Sequence, residues 1–522
     1  MVESLGYALG ALLAIAGRSH RVLHVFQLEH YEGARLRLWI ARRGERFPWA
    51  LCAIFGAAAL IGAIGHGWAG GAVALAGGAW ELWAALHREQ IKPLVLTPRA
   101  RRLYGASIAL AGAFVIVAAL GLPWASALVA VVVLVAAPEI MIVSAHGLAP
   151  YERAVNRRFV QRAKESLSEI APLVVGITGS YGKTTTKTIC AEVASLAGPA
   201  YPTPASFNSY LGVVRAINEG LRRKHRSFIC EMGAYRRGDI AELCELVSPR
   251  IGILTSIGIA HLERFGSIEE IANAKGELAE AIGPEGTLIT SADDPRCLEA
   301  AERCRGPVIL CSALDSPEAH YATSQTTLAR GRASFTVRCP DGENVPVTTR
   351  LLGTHNVTNA LYGFALGEAL ELDRARIGEA LGRVCPPDHR LAPIINKAAG
   401  IVVLDDAYNA NPVGAAAALE VLRDHEAIRR VLVTPGLVEM GERQETENRW
   451  LGELAADACD VAYLIGTGGR QIMEAMIDAG FDSENLAWVA RGTEAHEMVG
   501  NSSRRGDVIL FENDLPDLYS DL

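Results

Sequence analysis

Charge is scarce in this chain. Asp, Glu, Lys and Arg supply only 21% of its 522 residues, against 50% apolar. That balance excludes a disordered chain and is unusual for a purely soluble enzyme. Cysteine is scarce too, and ten in 522 residues make no disulfide scaffold. Cys297, Cys304 and Cys311 recur every seven residues, but neither a CxxC pair nor a histidine accompanies them. They read as buried thiols rather than metal ligands. A uniformly basic surface is also missing. Residues 1–147 hold 12 Lys/Arg and 7 Asp/Glu, a net of +5, while the remainder carries 38 against 51, a net of −13. A basic, membrane-like segment precedes an acidic body, and nothing in either points to nucleic acid. At roughly 100–200 residues per domain, the length predicts about three domains.

What the first 147 residues do contain is long apolar runs. Candidate spans are Val2–Ala16, Trp49–Gly67, Trp68–Leu86, Tyr104–Leu120 and Leu122–Val143. The first is short against the roughly 20 residues a bilayer needs. No charged region precedes it, so it reads as part of an anchor and not as a cleaved signal peptide. Basic clusters lie at Arg18–Arg46, Arg88–Arg102 and Arg153–Lys164. Five crossings with the amino terminus outside put all three on the cytoplasmic side. This predicts a multi-pass protein of the cytoplasmic membrane whose catalytic body faces the cytoplasm. The connector His24–Arg43 reads as a helix lying along the membrane surface, with a solvated linker between spans as the alternative. Val25, Leu28, Leu36, Trp39 and Ile40 would form its apolar stripe, with its arginines toward lipid headgroups. No span shows a clear ionisable pair, Glu139 lying near the end of the last, so a channel or pump lacks its usual signature. The segment reads as an anchor and as a platform for a lipid-borne substrate.

The body opens with chemistry. Leu173–Thr178 is an apolar, β-branched run that predicts a buried parallel strand. Gly179, Ser180, Tyr181, Gly182, Lys183, Thr184 and Thr185 follow at once, and a helical pattern runs on to about Leu196. Strand, glycine loop, Lys-Thr and helix form the setting of a phosphate loop. Backbone N–H groups and the helix amino terminus face the anion, Lys183 neutralises β/γ oxygens, and the Thr184 hydroxyl can ligate Mg²⁺. Glu231 ends the apolar run beginning at Phe228, at the strand edge where open α/β sheets bind ligands. A carboxylate there suits Mg²⁺, which prefers oxygen ligands and phosphates. His261 follows the run Ile251–Ile257 at the same edge, although a lone histidine is more often structural.

The loop Gly176-Ile177-Thr178-Gly179-Ser180-Tyr181-Gly182-Lys183-Thr184 with its three threonines resembles that of the Mur ligase family, the ATP-dependent amide ligases of cell-wall precursor assembly. The resemblance continues through FICEMG at 228–233, TSIGIAHLERFGSIEEIANAK at 255–275, GTHNVTNA at 353–360 and LDDAYNANP at 404–412. The last is most similar to the D-alanyl-D-alanine-adding branch. The motifs stand in family order over about residues 172–515.

The resemblance implies ATP and Mg²⁺ as cofactors. Thr184, Glu231, His261 and Lys275 would be metal ligands, Lys275 after carbamylation by CO₂. Four acidic neighbours, Glu269, Glu270, Glu277 and Glu280, make a surface salt-bridged lysine the plain alternative at Lys275. Asn356 and Asn359 would contact adenine, with helix capping as their ordinary use. Arg390 would hold the γ-phosphate, although His389 stands where the family has glycine. Asp405 and Asp406 end the apolar run Ile401–Leu404; one of them, Asp406 rather than Asp405, would bind the ribose hydroxyls, and Tyr408–Pro412 would form a substrate-facing turn. Lys183, His261, Lys275 and Arg390 are thus the expected catalytic set.

The predicted fold class is α/β, in three parts. A transmembrane helical segment of about five helices covers 1–147, a central parallel-sheet phosphate-loop ATPase domain covers 172–390, and a Rossmann-like α/β domain covers 391–522. A small β-rich patch is expected at about Tyr321–Arg350, and Pro386–Pro387 marks a hinge. Three departures from the family stand out. Membrane spans take the place of its UDP-sugar domain. Asn448 follows the loop Thr434–Gly441 where a histidine is usual. Phe511–Asp517 replaces a lysine-containing turn. The expected partners are a nucleotide- or lipid-linked cell-wall precursor, an amino acid or dipeptide, and membrane lipid, with no nucleic acid. The expected reaction is acyl-phosphate formation followed by amine attack. The alternative is a nucleotide-dependent membrane switch or transport-associated ATPase without ligase activity.

Overall fold

Short apolar runs bounded by turns become parallel strands when helices cover both of their faces. The computed structural model describes residues 2–43, 48–87, 93–121, 124–329, 332–408, 410–438 and 440–513. It divides into two compact units, one up to Arg157 and one from Arg158 onward. Arg46, Arg88, Lys92, Leu122, Asn409, Glu439 and residues 514–517, all part of the expectations above, lie outside the described residues.

The described residues of the second unit form two sheets. Strands β1 (Leu173–Thr178), β2 (Ala200–Pro202), β3 (Ser227–Glu231), β4 (Ile251–Leu254), β5 (Thr287–Ser291), β6 (Val308–Ser312), β7 (Tyr321–Ala329), β8 (Arg332–Arg338) and β9 (Asn344–Thr349) form the first. Its order is β2-β3-β1-β4-β5-β6-β7-β8-β9, parallel from β2 to β7 and antiparallel beyond. The small β-rich patch expected at about Tyr321–Arg350 is the far end of this sheet. Its alternating burial, as in Asn344–Thr349, is what an edge with one wet face requires.

The second sheet contains β10 (Ala392–Asn396), β11 (Ile401–Asp406), β12 (Arg429–Thr434), β13 (Val461–Ile465), β14 (Leu486–Val489) and β15 (Asp507–Glu512), in the order β10-β11-β15-β12-β13-β14. Only β10 runs antiparallel. Neither β10 nor β2 was expected. β10 carries exposed Ile394 and Ile395 on a sheet edge, so it shows no buried run, and β2 is only three residues long.

The first unit is helical. All five expected apolar segments are helices, but with shifted limits: Val2–Leu28, Trp49–Ala63, Gly67–Leu86, Pro98–Gly121 and Ala125–Ile170. The first continues past Ala16 through Arg18 and Arg21. Arginine is a good helix former, and Arg21 reaches Glu81 of Gly67–Leu86 at 3.2 Å, with Glu81 buried. Arg21 thus lies beyond the expected span Val2–Ala16 and pairs with a glutamate of the next apolar helix but one, Gly67–Leu86. These two helices pack closely, because a side chain at Gly10 or Gly78 would collide with the opposing backbone.

The expected connector helix is shorter, Gly33–Arg43. Leu36 and Ile40 are buried as its stripe implied. Its arginines differ from expectation: Arg35 pairs with Glu29, and Arg37 grips Glu139 through two hydrogen bonds of 2.8 and 2.6 Å. Among the described residues two helices are long and apolar enough to cross a membrane, Pro98–Gly121 and Ala125–Ile170, and Trp49–Ala63 is apolar but shorter.

Candidate active site

The centre of the first sheet brings three strand ends together. Ile177 of β1 is in register with Glu231 of β3, and Thr178 with Leu254 of β4. The glycine loop leaves β1 at this edge and enters the helix Lys183–Ala194. Gly182, at φ 78°, caps that helix in a left-handed conformation and abuts the Asn359 amide, so the position excludes a side chain twice over. The loop is tied to its neighbour: Ser180 N donates to Ser256 O at 2.8 Å, and Thr255 Oγ1 to Tyr181 O at 2.6 Å. Lys183 curls back, its Nζ donating to Gly179 O at 2.6 Å and Ser180 O at 3.2 Å. Crowding by protein pushes its ammonium down to about 8. Glu231 opposes that shift and Arg390 adds to it. The sequence-expected Arg390 is thus within electrostatic reach of the loop.

Glu231 is 2% exposed and gathers several groups. Thr184 Oγ1 donates to its Oε1 at 3.3 Å and Asn208 Nδ2 to the same oxygen at 3.0 Å, while Lys187 Nζ stands 2.9 Å from Oε2. Burial pushes the carboxyl up, but Lys187 and Lys183 outweigh it and hold Glu231 below the ordinary range. Lys187 was missed in the sequence. The available signal was its position, one turn after Lys183 on the same helix face. Asn208 lies on a loop, and nothing in its sequence context marks it.

His261 occupies a left-handed position, φ 60°, ahead of the short helix Leu262–Phe265, and meets Tyr235 edge-on at 5.2 Å. Lys275 is buried in the helix Ile268–Ala281, which excludes the surface salt-bridge alternative. Glu277 is occupied elsewhere, accepting from Gly238 N and Ala241 N, and Glu280 pairs with Arg303. Burial pushes Lys275 well below its usual value and Lys183 adds to this, while Asp239 and Glu277 oppose. A neutral amine, the CO₂-reactive form, is favoured there. Among the described residues no three His, Cys, Asp or Glu are preassembled for a metal. The Thr184 hydroxyl and the Glu231 carboxylate, 3.3 Å apart, are oxygen donors that fit Mg²⁺, which takes few protein ligands and completes its shell with water and phosphate.

Asn356 and Asn359 are buried beneath the loop and spent on the protein. Asn356 Nδ2 donates to Leu352 O, Asn359 Nδ2 to Asn356 Oδ1, and Thr186 Oγ1 to Asn359 Oδ1. Neither caps the helix Thr354–Ala369, whose cap is Gly353. The neighbouring His355 was passed over; burial lowers it to about 4, so it is neutral.

At the second sheet, Arg390 lies over the Tyr408 ring at 4.3 Å. His389 and Leu391 flank it with φ of 57° and 50°. The left-handed turn accounts for glycine as the family's residue at 389. His389 offsets its strain by bonding Asp405 through Nδ1 at 2.8 Å. Asp406 Oδ1 accepts from Leu391 N at 3.0 Å. Asn411 caps the helix Pro412–Asp424. Asn448, fully buried, pairs with both sides of Leu437: its Oδ1 accepts from N at 2.7 Å and its Nδ2 donates to O at 3.3 Å. The amide thus braces the loop after β12. Asn513, also unanticipated, joins three loops, accepting from Ala410 N and donating to Gly436 O, with its own N bonded to Asp406 O.

Fold and loop together define an α/β phosphate-loop nucleotide enzyme. Residues 177–367 match the Mur ligase middle domain, and residues 389–512 match the Mur ligase, glutamate ligase domain. The UDP-N-acetylmuramoyl-tripeptide--D-alanyl-D-alanine ligase of Mycobacterium tuberculosis is 34% identical over 361 residues, 65% of this chain and 70% of that one. The crystal structure of MurF from Acinetobacter baumannii superposes with a TM-score of 0.60 at 26% identity, covering 68% of this chain and 77% of that one. MurF from Thermotoga maritima in complex with ADP shares the fold at TM-score 0.60 and 23% identity, covering 69% and 80%. This chain belongs to the Mur ligase family. It is an ATP-dependent peptide ligase, which sets aside the switch without ligase activity.

Proposed function

We propose that this chain is a membrane-anchored ligase that activates a cell-wall precursor carboxylate with ATP and joins it to an amine, with D-alanyl-D-alanine as that amine. The observation that carries the reading is the convergence of Lys183, Thr184 and Glu231 at one sheet edge, within electrostatic reach of Arg390. The amine is inferred from relatives whose names specify D-alanyl-D-alanine ligation. The residues assigned to the middle and C-terminal parts, 172–390 and 391–522, act as two domains closing through Pro386–Pro387.

In this reading the substrate carboxylate oxygen attacks the γ-phosphorus, the bond to ADP breaks, and an acyl phosphate forms. The amine nitrogen then attacks the carbonyl carbon. The tetrahedral adduct expels phosphate, and the nitrogen loses a proton. Lys183 and Arg390 neutralise charge on the passing phosphoryl group, a task of positioning rather than covalent chemistry. Asp406 would hold the ribose, and Asn359, whose amide abuts Gly182 of the phosphate loop, would brace that loop under the nucleotide. Thr184, Glu231, His261 and carbamylated Lys275 would hold Mg²⁺, which supplies further charge neutralisation at the phosphates.

Anchoring is supported by two helices of spanning length and by apolar side chains open to the surroundings, among them Trp49, Trp68, Phe114, Val117, Leu120 and Val132. Five crossings with a cytoplasmic catalytic body, and a precursor presented by lipid or by a soluble nucleotide, complete the proposal. The test supplies purified protein, ATP and Mg²⁺ with either a lipid-linked or a UDP-linked peptide precursor and D-alanyl-D-alanine, and reads new amides by mass spectrometry. An amide product that disappears in Lys183→Ala is expected. ATP turnover indifferent to the amine, without amide, would overturn it.

A further inference from the structure

The carboxyl edge of the second sheet holds a group that the ligase reading leaves unused. Asp406 and Glu512 are register partners on the adjacent parallel strands β11 and β15, so their side chains leave the sheet side by side. Glu512 is 1% exposed, and neither of its carboxyl oxygens finds an N–H or O–H donor among the described residues. The group it meets is the Asp406 carboxyl, and two carboxyls can hydrogen-bond only by sharing a proton. The other charged groups about the pair are Arg390, from the segment ahead of β10, and Asp405, which is already held by His389 and Ala407 N.

We propose that Glu512 is a positioning residue for ATP: as a neutral acid it donates to Asp406 and fixes that carboxylate, beside Arg390, as the acceptor for the ribose hydroxyls. This rests on the assignment of Asp406 to the ribose. The geometry locks Asp406 from two sides, through Leu391 N at Oδ1 and through Glu512. Charge balance points the same way. Two buried carboxylates side by side repel, whereas one carboxylate and one acid leave a single negative charge opposite a single guanidinium. Burial and the neighbouring Asp406 push Glu512 well above the ordinary range, against the pull of Arg390, and burial also raises Asp406. The departure at Phe511–Asp517 thereby gains a purpose: where the family has a lysine-containing turn, this chain places an acid able to carry a proton to its neighbour.

The experiment measures KM for ATP between about pH 6 and pH 9 in the full-length protein and its variants. Glu512→Gln keeps a donor, so KM at neutral pH stays within about twofold and its rise at alkaline pH is smaller than the wild type's, the remainder belonging to Lys183 as it loses its proton. Glu512→Ala removes the donor and raises KM about tenfold, the worth of one hydrogen bond to a charged group. Carbon-13 NMR of labelled glutamate reads the Glu512 carboxyl directly and should find it protonated at neutral pH. A carboxylate signal there, or a Glu512→Gln variant as impaired as Glu512→Ala, overturns the inference. Asp406→Asn tests the assignment beneath it: unchanged KM in that variant removes the ribose role, whereas a raised KM with a failing Glu512→Gln removes only the proton-sharing pair.

Discussion

Lys187 and Lys183 sit one turn apart and serve opposite needs. Lys187, 4% exposed, neutralises Glu231 inside the protein, whereas Lys183 curls onto the loop that precedes it. Removing the first strands a buried carboxylate, so Lys187→Met should lower stability by about 3–5 kcal/mol in denaturant titrations, and adding Glu231→Gln should recover much of that loss. Removing the second should cut turnover more than a hundredfold, the scale of losing a charge-stabilising group. Lys183→Met should nevertheless stabilise the nucleotide-free protein at neutral pH. A lysine whose folded value is lowered to about 8 binds its proton less well folded than unfolded. It opposes folding below that value, and the penalty fades as pH rises toward the unfolded one. For Glu512, raised in the folded state, the sign reverses: its stabilising contribution is complete at acid pH and is lost as pH climbs, and Glu512→Gln should flatten that decline in thermal melts. Lys183 and Thr184 were legible because a glycine loop between strand and helix is a local pattern. Lys187, Asn208 and Glu512 were not, since each acquires its partner from a strand or loop far away in sequence. Lys275 was legible through the family resemblance alone, since its acidic neighbours suggested a surface while the fold around it made an interior.

Strands were read well wherever both faces are buried. β1, β3 and β4 announce themselves as apolar runs, and each ends where a charged or polar residue begins the edge. β10 escaped notice because an exposed edge strand obeys no burial pattern. The helix Val2–Leu28 was cut short at Ala16 because hydropathy registers Arg18 and Arg21 as an end, whereas a helix ends only where its backbone does. Loops are where local reading was weakest. The segment after β12 depends on Asn448, which reads as an isolated departure until its two bonds to Leu437 are seen. Asn448→Ala should cost about 1–3 kcal/mol in a denaturant midpoint assay, because it leaves buried backbone groups without partners. Gly182→Ala should abolish nucleotide binding measured by calorimetry, since the position combines a left-handed backbone with contact to the Asn359 amide.

At the scale of the whole molecule, the described residues divide into a helical unit and an α/β unit that carries two sheets. Charge counting could not foretell that basic residues of the helical unit are neutralised from within, as Arg21 is by Glu81 and Arg37 by Glu139. If the helices cross a bilayer, carbonate or high salt should leave the protein in the membrane fraction, and only detergent should release it. Quantitative release by salt alone would reduce the helical unit to a peripheral one.

The ammonium group beside Glu231 bears on life under magnesium starvation. Because an internal cation already balances this carboxylate, the resting fold has no need of a bound metal for its integrity. A strong chelator should therefore silence the enzyme and leave its melting temperature where it was, and restoring the ion should return activity at once, with no refolding in between.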